Sequence, residues 1–136
     1  MKTIADIKRR YYSIARRLKA PAAHVQFATT PQHDGSPHVE LEGKSYCYVI
    51  TERGQEFERR RTTDPDEVLY WLVSDVTRAM ASDHELRNRA KRDDFRRLLF
   101  KKHLELLADV SNEWSQRKKM EYDRVLAEHP FRDAEG

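Results

Sequence analysis

Few side chains in this chain are of types that do chemistry, and their spacing tests each one. His33, Asp34, His38 and Glu40 carry the donors of a divalent-metal site, in the pattern H-D-x-x-x-H-x-E. That pattern matches no compact ligand motif, and no H-x-x-x-H frame on a helix supports it. The four are therefore read as polar loop residues, and neither a metal nor any other cofactor is expected. Glu52 follows the apolar run SYCYVI and precedes Arg53. A carboxylate at a strand end serves as a general base only with a second catalytic group to work with, and none accompanies it. An ion pair with Arg53 or Arg59 accounts for Glu52 instead. His84 and His103 fall in helical stretches and read as ordinary, partly buried histidines. With 4 glycines and 1 cysteine, the chain offers no phosphate-cradling loop and no Cys/His nucleophile pair. Cys47 is read as a small buried hydrophobe in a strand. No catalytic residue is assigned, and the chain is not expected to be an enzyme.

The elements that position these residues follow from periodicity. Ile4, Ile7, Tyr11, Ile14 and Leu18 recur at helical intervals, predicting an amphipathic helix over residues 3–19 that ends at Ala20-Pro21. Val25 and Phe27 alternate, which predicts a short strand. Val39 and Leu41, then Tyr46, Tyr48 and Ile50, alternate on either side of Glu42-Gly43-Lys44 and predict a hairpin. Arg53-Gly54 supplies a second tight turn, with Gly54 free to take positive φ. Beyond it, alternation sets Gln55, Phe57, Arg59 and Arg61 on one face and Glu56, Glu58, Arg60 and Thr62 on the other. A strand whose one large apolar side chain is Phe57 cannot lie between two covering layers, because unpaired buried charge is too costly. It reads as an edge strand, where charge discourages unwanted pairing.

A helix start follows: Asp64 caps, Pro65 takes the first helical position and Glu67 the third. Leu69, Leu72, Val73, Val76 and Met80 form its stripe, to residue 81. Asp93-Asp94 opens another run, with Phe95, Leu99, Leu106, Val110 and Trp114 on one face. That stripe breaks at Gln116-Arg117-Lys118-Lys119, predicting either one long helix that leaves the body near residue 116 or two helices with a bend there. HPFRDAEG reads as a non-helical tail pinned by Phe131. The expected architecture is a single α+β domain over residues 1–136. It has an antiparallel meander of three to four strands, an N-terminal helix and two to three C-terminal helices packed on the sheet.

Charge limits the partners. The 26 basic and 23 acidic residues leave a net +3, densely charged but not strongly basic. Residues 1–20 carry seven basic groups and one acid, whereas residues 51–64 carry four of each sign. No nucleic-acid-reading motif is present, which weighs against nucleic acid; the basic face of the first helix keeps it as the alternative. No apolar run reaches the ~20 residues of a membrane span, and the N-terminus lacks a signal-peptide core. A cytoplasmic protein, monomeric and without a membrane partner, is expected. Tyr70 and Trp71 are adjacent on a helix and so point about 100° apart. Both cannot face one core, which makes them candidates for a protein interface, where Trp, Tyr and Arg are enriched.

The series PHVE at 37–40, YCYVITERGQE at 46–56, RTTDPDEVLYW at 61–71, MASDHEL at 80–86, DFRRLLF at 94–100 and HPFRD at 129–133 resembles immunity-protein family 63. This is one of the immunity families of bacterial polymorphic toxin and contact-dependent inhibition systems. The resemblance spans residues 3–133 and implies a non-enzymatic protein that binds the C-terminal effector domain of a cognate toxin. On that basis the charged strand and its flanks form the candidate toxin-binding surface: Glu52, Arg53, Glu56, Glu58, Arg59, Arg61, Asp66, Glu67, Tyr70 and Trp71.

Overall fold

The computed structural model describes residues 1–135. Its order is α1 (Ile4–Arg17), a single 3-10 turn (Ala22–His24), β1 (Asp34–Glu42), β2 (Ser45–Glu52), β3 (Gln55–Thr62), α2 (Pro65–Arg87), α3 (Phe95–Ala108) and α4 (Asn112–Glu128). The strands form one antiparallel sheet in the order β1-β2-β3, so the fold is α+β with β3 at an edge. The described residues fall into two compact units, residues 1–17 with 25–73 and residues 18–24 with 74–135.

In the first unit, Thr3 and Asp6 cap α1 reciprocally: the Thr3 N–H donates to the Asp6 carboxylate at 3.0 Å and the Asp6 N–H to the Thr3 hydroxyl at 3.1 Å. Ile7, Tyr11 and Ala15 form the buried stripe of the helix. One sheet face carries Val39, Tyr46, Tyr48 and Ile50, related by the β1–β2 register. The Tyr46 hydroxyl on this face donates to the Lys2 carbonyl, and Tyr48 meets Trp71 of α2 edge-on, ring centroids 5.8 Å apart. Val68, Leu69, Tyr70, Leu72 and Val73 are all buried.

The strand expected at Val25–Phe27 is corrected: residues 25–33 contain none. Phe27 is buried, but against the Tyr11 ring at 5.9 Å, and the Tyr11 hydroxyl accepts the Gln26 N–H at 3.1 Å. A side chain takes the backbone donor that a strand partner would otherwise have taken, and a single bond from the Val39 N–H to the Ala28 carbonyl makes no ladder.

In the second unit, Ala81, Leu99, Phe100 and Tyr122 form a buried cluster with Leu104, Leu106, Leu126 and Phe131 against it. The Phe100 and Tyr122 rings stack 3.7 Å apart at 9°. α2 runs on to Arg87, beyond the end read from its large apolar residues. Ala81 and the buried Glu85 continue its inner face, and Arg89 pairs with the Glu85 carboxylate at 2.7 Å. His103 is buried completely, not in part.

The C-terminal stretch is two helices, but the break lies at Asp109–Ser111 and not at residue 116. Ser111 caps α4 by accepting the Trp114 N–H at 3.1 Å, so a local hydrogen bond, not the lapse of the apolar stripe, sets the boundary.

The tail is pinned, as expected, with Phe131 over the Arg97 guanidinium at 4.2 Å. Arg96 donates to the carbonyls of His129 and Pro130, both at 2.9 Å, while Asp94 caps α3 and accepts the Arg132 N–H at 2.9 Å. Hydrogen bonds from the Arg96 side chain and from the backbone N–H groups of Arg132 and Arg96 hold the Asp94 carboxyl well below the usual carboxylate range. Asp94→Ala is therefore expected to free the tail. Limited trypsin digestion should then cut at Arg132 well before any other site, whereas the unaltered chain keeps that bond protected.

Candidate functional site

Turn chemistry places the charged strand. Arg53 and Gly54 join β2 to β3 with φ of 51° and 81°, the two left-handed residues of a type I′ hairpin. His33, itself at φ 60°, shapes that turn from outside. Its carbonyl accepts the Arg53 N–H at 3.2 Å, its Nδ1 accepts the Gly54 N–H at 3.2 Å, and its own N–H donates to the Thr51 hydroxyl at 3.0 Å. Of the other three residues weighed as metal donors, Asp34 stands apart and His38 and Glu40 meet each other. Asp34 accepts from Ser36, and His38, 2% exposed, meets Glu40 through Nε2 at 2.9 Å. Among the described residues, no three His, Cys, Asp or Glu converge as a cation site.

β3 pairs with β2 regularly from Thr62 back to Glu58, opposite Ile50, and then shifts so that Glu56 faces Thr51. Phe57 is the extra residue of this bulge and stands 64% exposed. The bulge corrects the expected alternation. Glu56 and Arg59, three apart, would lie on opposite faces of a regular strand, yet Arg59 grips Glu56 through Nε at 2.7 Å and Nη2 at 3.0 Å.

Arg59 also reaches Glu40 at 3.2 Å and Glu42 at 3.3 Å on β1, and Arg61 donates to Glu42 at 3.1 Å. The register explains the reach, because Val49 lies between His38 and Arg59, and Cys47 between Glu40 and Arg61. Three carboxylates therefore gather around one guanidinium over a fully buried Cys47. Hydrogen bonding to Glu56 raises the Arg59 pKa, and bonds from Arg61 to Glu42 and from Arg59 to Glu56 lower those carboxyls.

On the opposite face, Arg60 lies over the Tyr48 ring at 4.6 Å and the Trp71 ring at 5.5 Å, and pairs with Glu58 at 3.1 Å. At the start of α2, the Asp64 carboxylate accepts the Asp66 N–H at 2.9 Å and the Asp64 carbonyl accepts the Glu67 N–H at 3.1 Å. The Asp66 carboxylate pairs with Arg10 of α1.

The structure thus gathers Glu56, Arg59 and Arg61 into one network and Glu58 with Trp71 around Arg60. It leaves Glu52 and Arg53 exposed at the hairpin end and Asp66 and Glu67 at the head of α2. Tyr70 is 2% exposed, so its ring is not part of this surface. Sequence reasoning missed Glu40, Glu42 and Arg60 as members. The signal was available in the two-residue loop Gly43-Lys44, which pairs Glu42 with Ser45 and so sets Glu40 beside Cys47 and Arg61.

No helix among the described residues is long and apolar enough to cross a membrane. No curated protein and no solved structure matches the chain. The family described as Immunity protein 63 matches residues 42–124, a segment that holds Glu42, all of β2 and β3, the two aromatics of α2, all of α3 and α4 as far as Arg124. By that match, the chain belongs to the Immunity protein 63 family.

Proposed function

We propose that this chain is an immunity protein that binds the effector domain of a cognate bacterial toxin, one to one, and neutralises it in the cytoplasm of the cell that makes both. It does so by occupying a surface of the toxin, without catalysis. The observation that carries this reading, beside family membership, is β3: an exposed strand whose ions are held in place by partners in the same sheet. Side chains already fixed lose little entropy when a partner meets them, and a fixed pattern of both signs accepts one complement and rejects others. The proposed contact set is Glu52, Arg53, Glu56, Glu58, Arg59, Arg61, Asp66, Glu67 and Trp71.

Affinity capture from nuclease-treated lysate of the source cell, washed at low and high salt, tests this. One stoichiometric protein retained at high salt and matching the C-terminus of a large secreted protein is the expected result. The alternative reading rests on the exposed basic face of α1, Arg9, Arg10, Arg16 and Arg17, with Lys2 just before the helix. It predicts nucleic acid held at low salt and nothing at high salt, because phosphate contacts weaken steeply with ionic strength.

A further inference from the structure

Every charged side chain of β3 has an ion-pair partner within the chain: Glu56 with Arg59, Glu58 with Arg60, and Arg59 and Arg61 with the carboxylates of β1. Beside this fixed pattern of ions, β3 offers a partner its outer backbone edge, to which no strand is paired among the described residues, and the exposed ring of Phe57. We infer that this edge takes up an extended segment of the toxin's effector domain as a fourth strand, with an apolar side chain of that segment packed on Phe57. The inference rests on the inhibitor reading and names the contact.

Three features favour it. The ladder of β3 is regular from Glu58 to Thr62, five residues, and the bulge is confined to its start. That length suffices for a strand-addition site, in which backbone bonds give affinity and flanking side chains give selectivity. The turn leading into β3 is held by His33 through two backbone N–H groups, so the edge is set before a partner arrives. The bulge and the charges also make the edge a poor template for a second copy of itself, which leaves it to a partner of matching charge.

The test uses the effector domain of the toxin encoded beside this chain, co-expressed with it and purified as the complex. Hydrogen exchange read by mass spectrometry is expected to show amides within residues 55–62 exchanging at least tenfold more slowly in the complex. Phe57→Ala is expected to weaken the complex about 10- to 100-fold while leaving the melting temperature of the free chain unchanged, since the ring is exposed. A complex that forms with unaltered exchange in β3 overturns strand addition and leaves the inhibitor reading standing. Failure to form any complex removes both. A free chain that sediments as a dimer with the same amides protected makes a second copy the occupant, and also overturns the proposal.

Discussion

Replacing His103 with leucine is expected to destabilise the protein by about 2–3 kcal/mol at pH 7, and to leave it no less stable than the parent by pH 4. The Thr77 hydroxyl donates to the Ser74 carbonyl at 3.2 Å, which leaves its oxygen to accept from His103 Nε2–H at 2.8 Å. His103 Nδ1 is then the acceptor for the Tyr122 hydroxyl at 2.5 Å. The chain of bonds closes only with a neutral imidazole, and leucine preserves the volume while removing both bonds. A proton added at Nδ1 would face a donor and would place a charge deep in the core near Lys118 and Arg78. Burial first, then those two cations, push the His103 pKa down from 6.5 to about 3. In the unfolded chain the ring protonates near its ordinary value, so between these two pH values the unfolded state binds the extra proton. The stabilisation is complete above pH 6.5 and is lost as pH falls toward 3, at about 1.4 kcal/mol per unit. The variant has no such proton to bind, so its stability should converge on that of the parent in acid. Urea titrations of both proteins at pH 7, 5.5 and 4 measure the gap. A gap that stays constant across this range would show that the ring's protonation is not what stabilises the core.

This chain displays the start of α2 and its edge strand in one dimension and hides its cross-strand relations. Asp64-Pro65 was readable because capping chemistry is local, and β3 was readable as an edge because its composition excludes burial between two layers. The break before α4 has an equally local cause in Ser111, but the apolar stripe from Leu106 through Val110 to Trp114 masked it. The bulge at Phe57 has no sequence mark of its own: nothing in QEFERR distinguishes a regular strand from one with an extra residue. The bulge alone brings Glu56 onto the face of Arg59. His33 was legible only as a polar loop residue, yet its imidazole serves a backbone N–H 21 residues away. The clamp of HPFRD on Asp94, Arg96 and Arg97 was likewise invisible beyond Phe131 itself, since the atoms it joins are 33 to 39 residues apart.

Arg59→Met should weaken the toxin complex about 10- to 100-fold, while the free chain loses only about 1–2 kcal/mol of stability. The small cost to the fold follows from solvent: the Arg59 side chain is 21% exposed and its partners more so, so their ion pairs are partly screened. The larger cost to binding follows from what Arg59 does to its neighbours. Without the guanidinium, Glu40, Glu42 and Glu56 repel one another and swing apart. The pattern that meets the toxin is then lost, although no carboxylate has been removed. Arg59→Lys separates charge from geometry. An ammonium restores the positive charge but cannot fork to three carboxylates at once, so binding should recover only in part. Acid gives a further check. Glu42 and Glu56 are held below their ordinary pKa in the parent, so their pairing stabilises it above the ordinary carboxylate range and is lost as pH falls through the lowered values. In Arg59→Met the Glu56 contribution is already gone, and the two proteins should approach one another below pH 4. Arg16→Ser with Arg17→Ser, on the basic face of α1, is the control and should leave the complex unaltered. Calorimetric titration of the four proteins with the effector domain decides the matter. Unchanged affinity in a folded Arg59→Met variant would mean that the toxin does not read this array, and would move the search for the contact to the backbone edge and Phe57 alone.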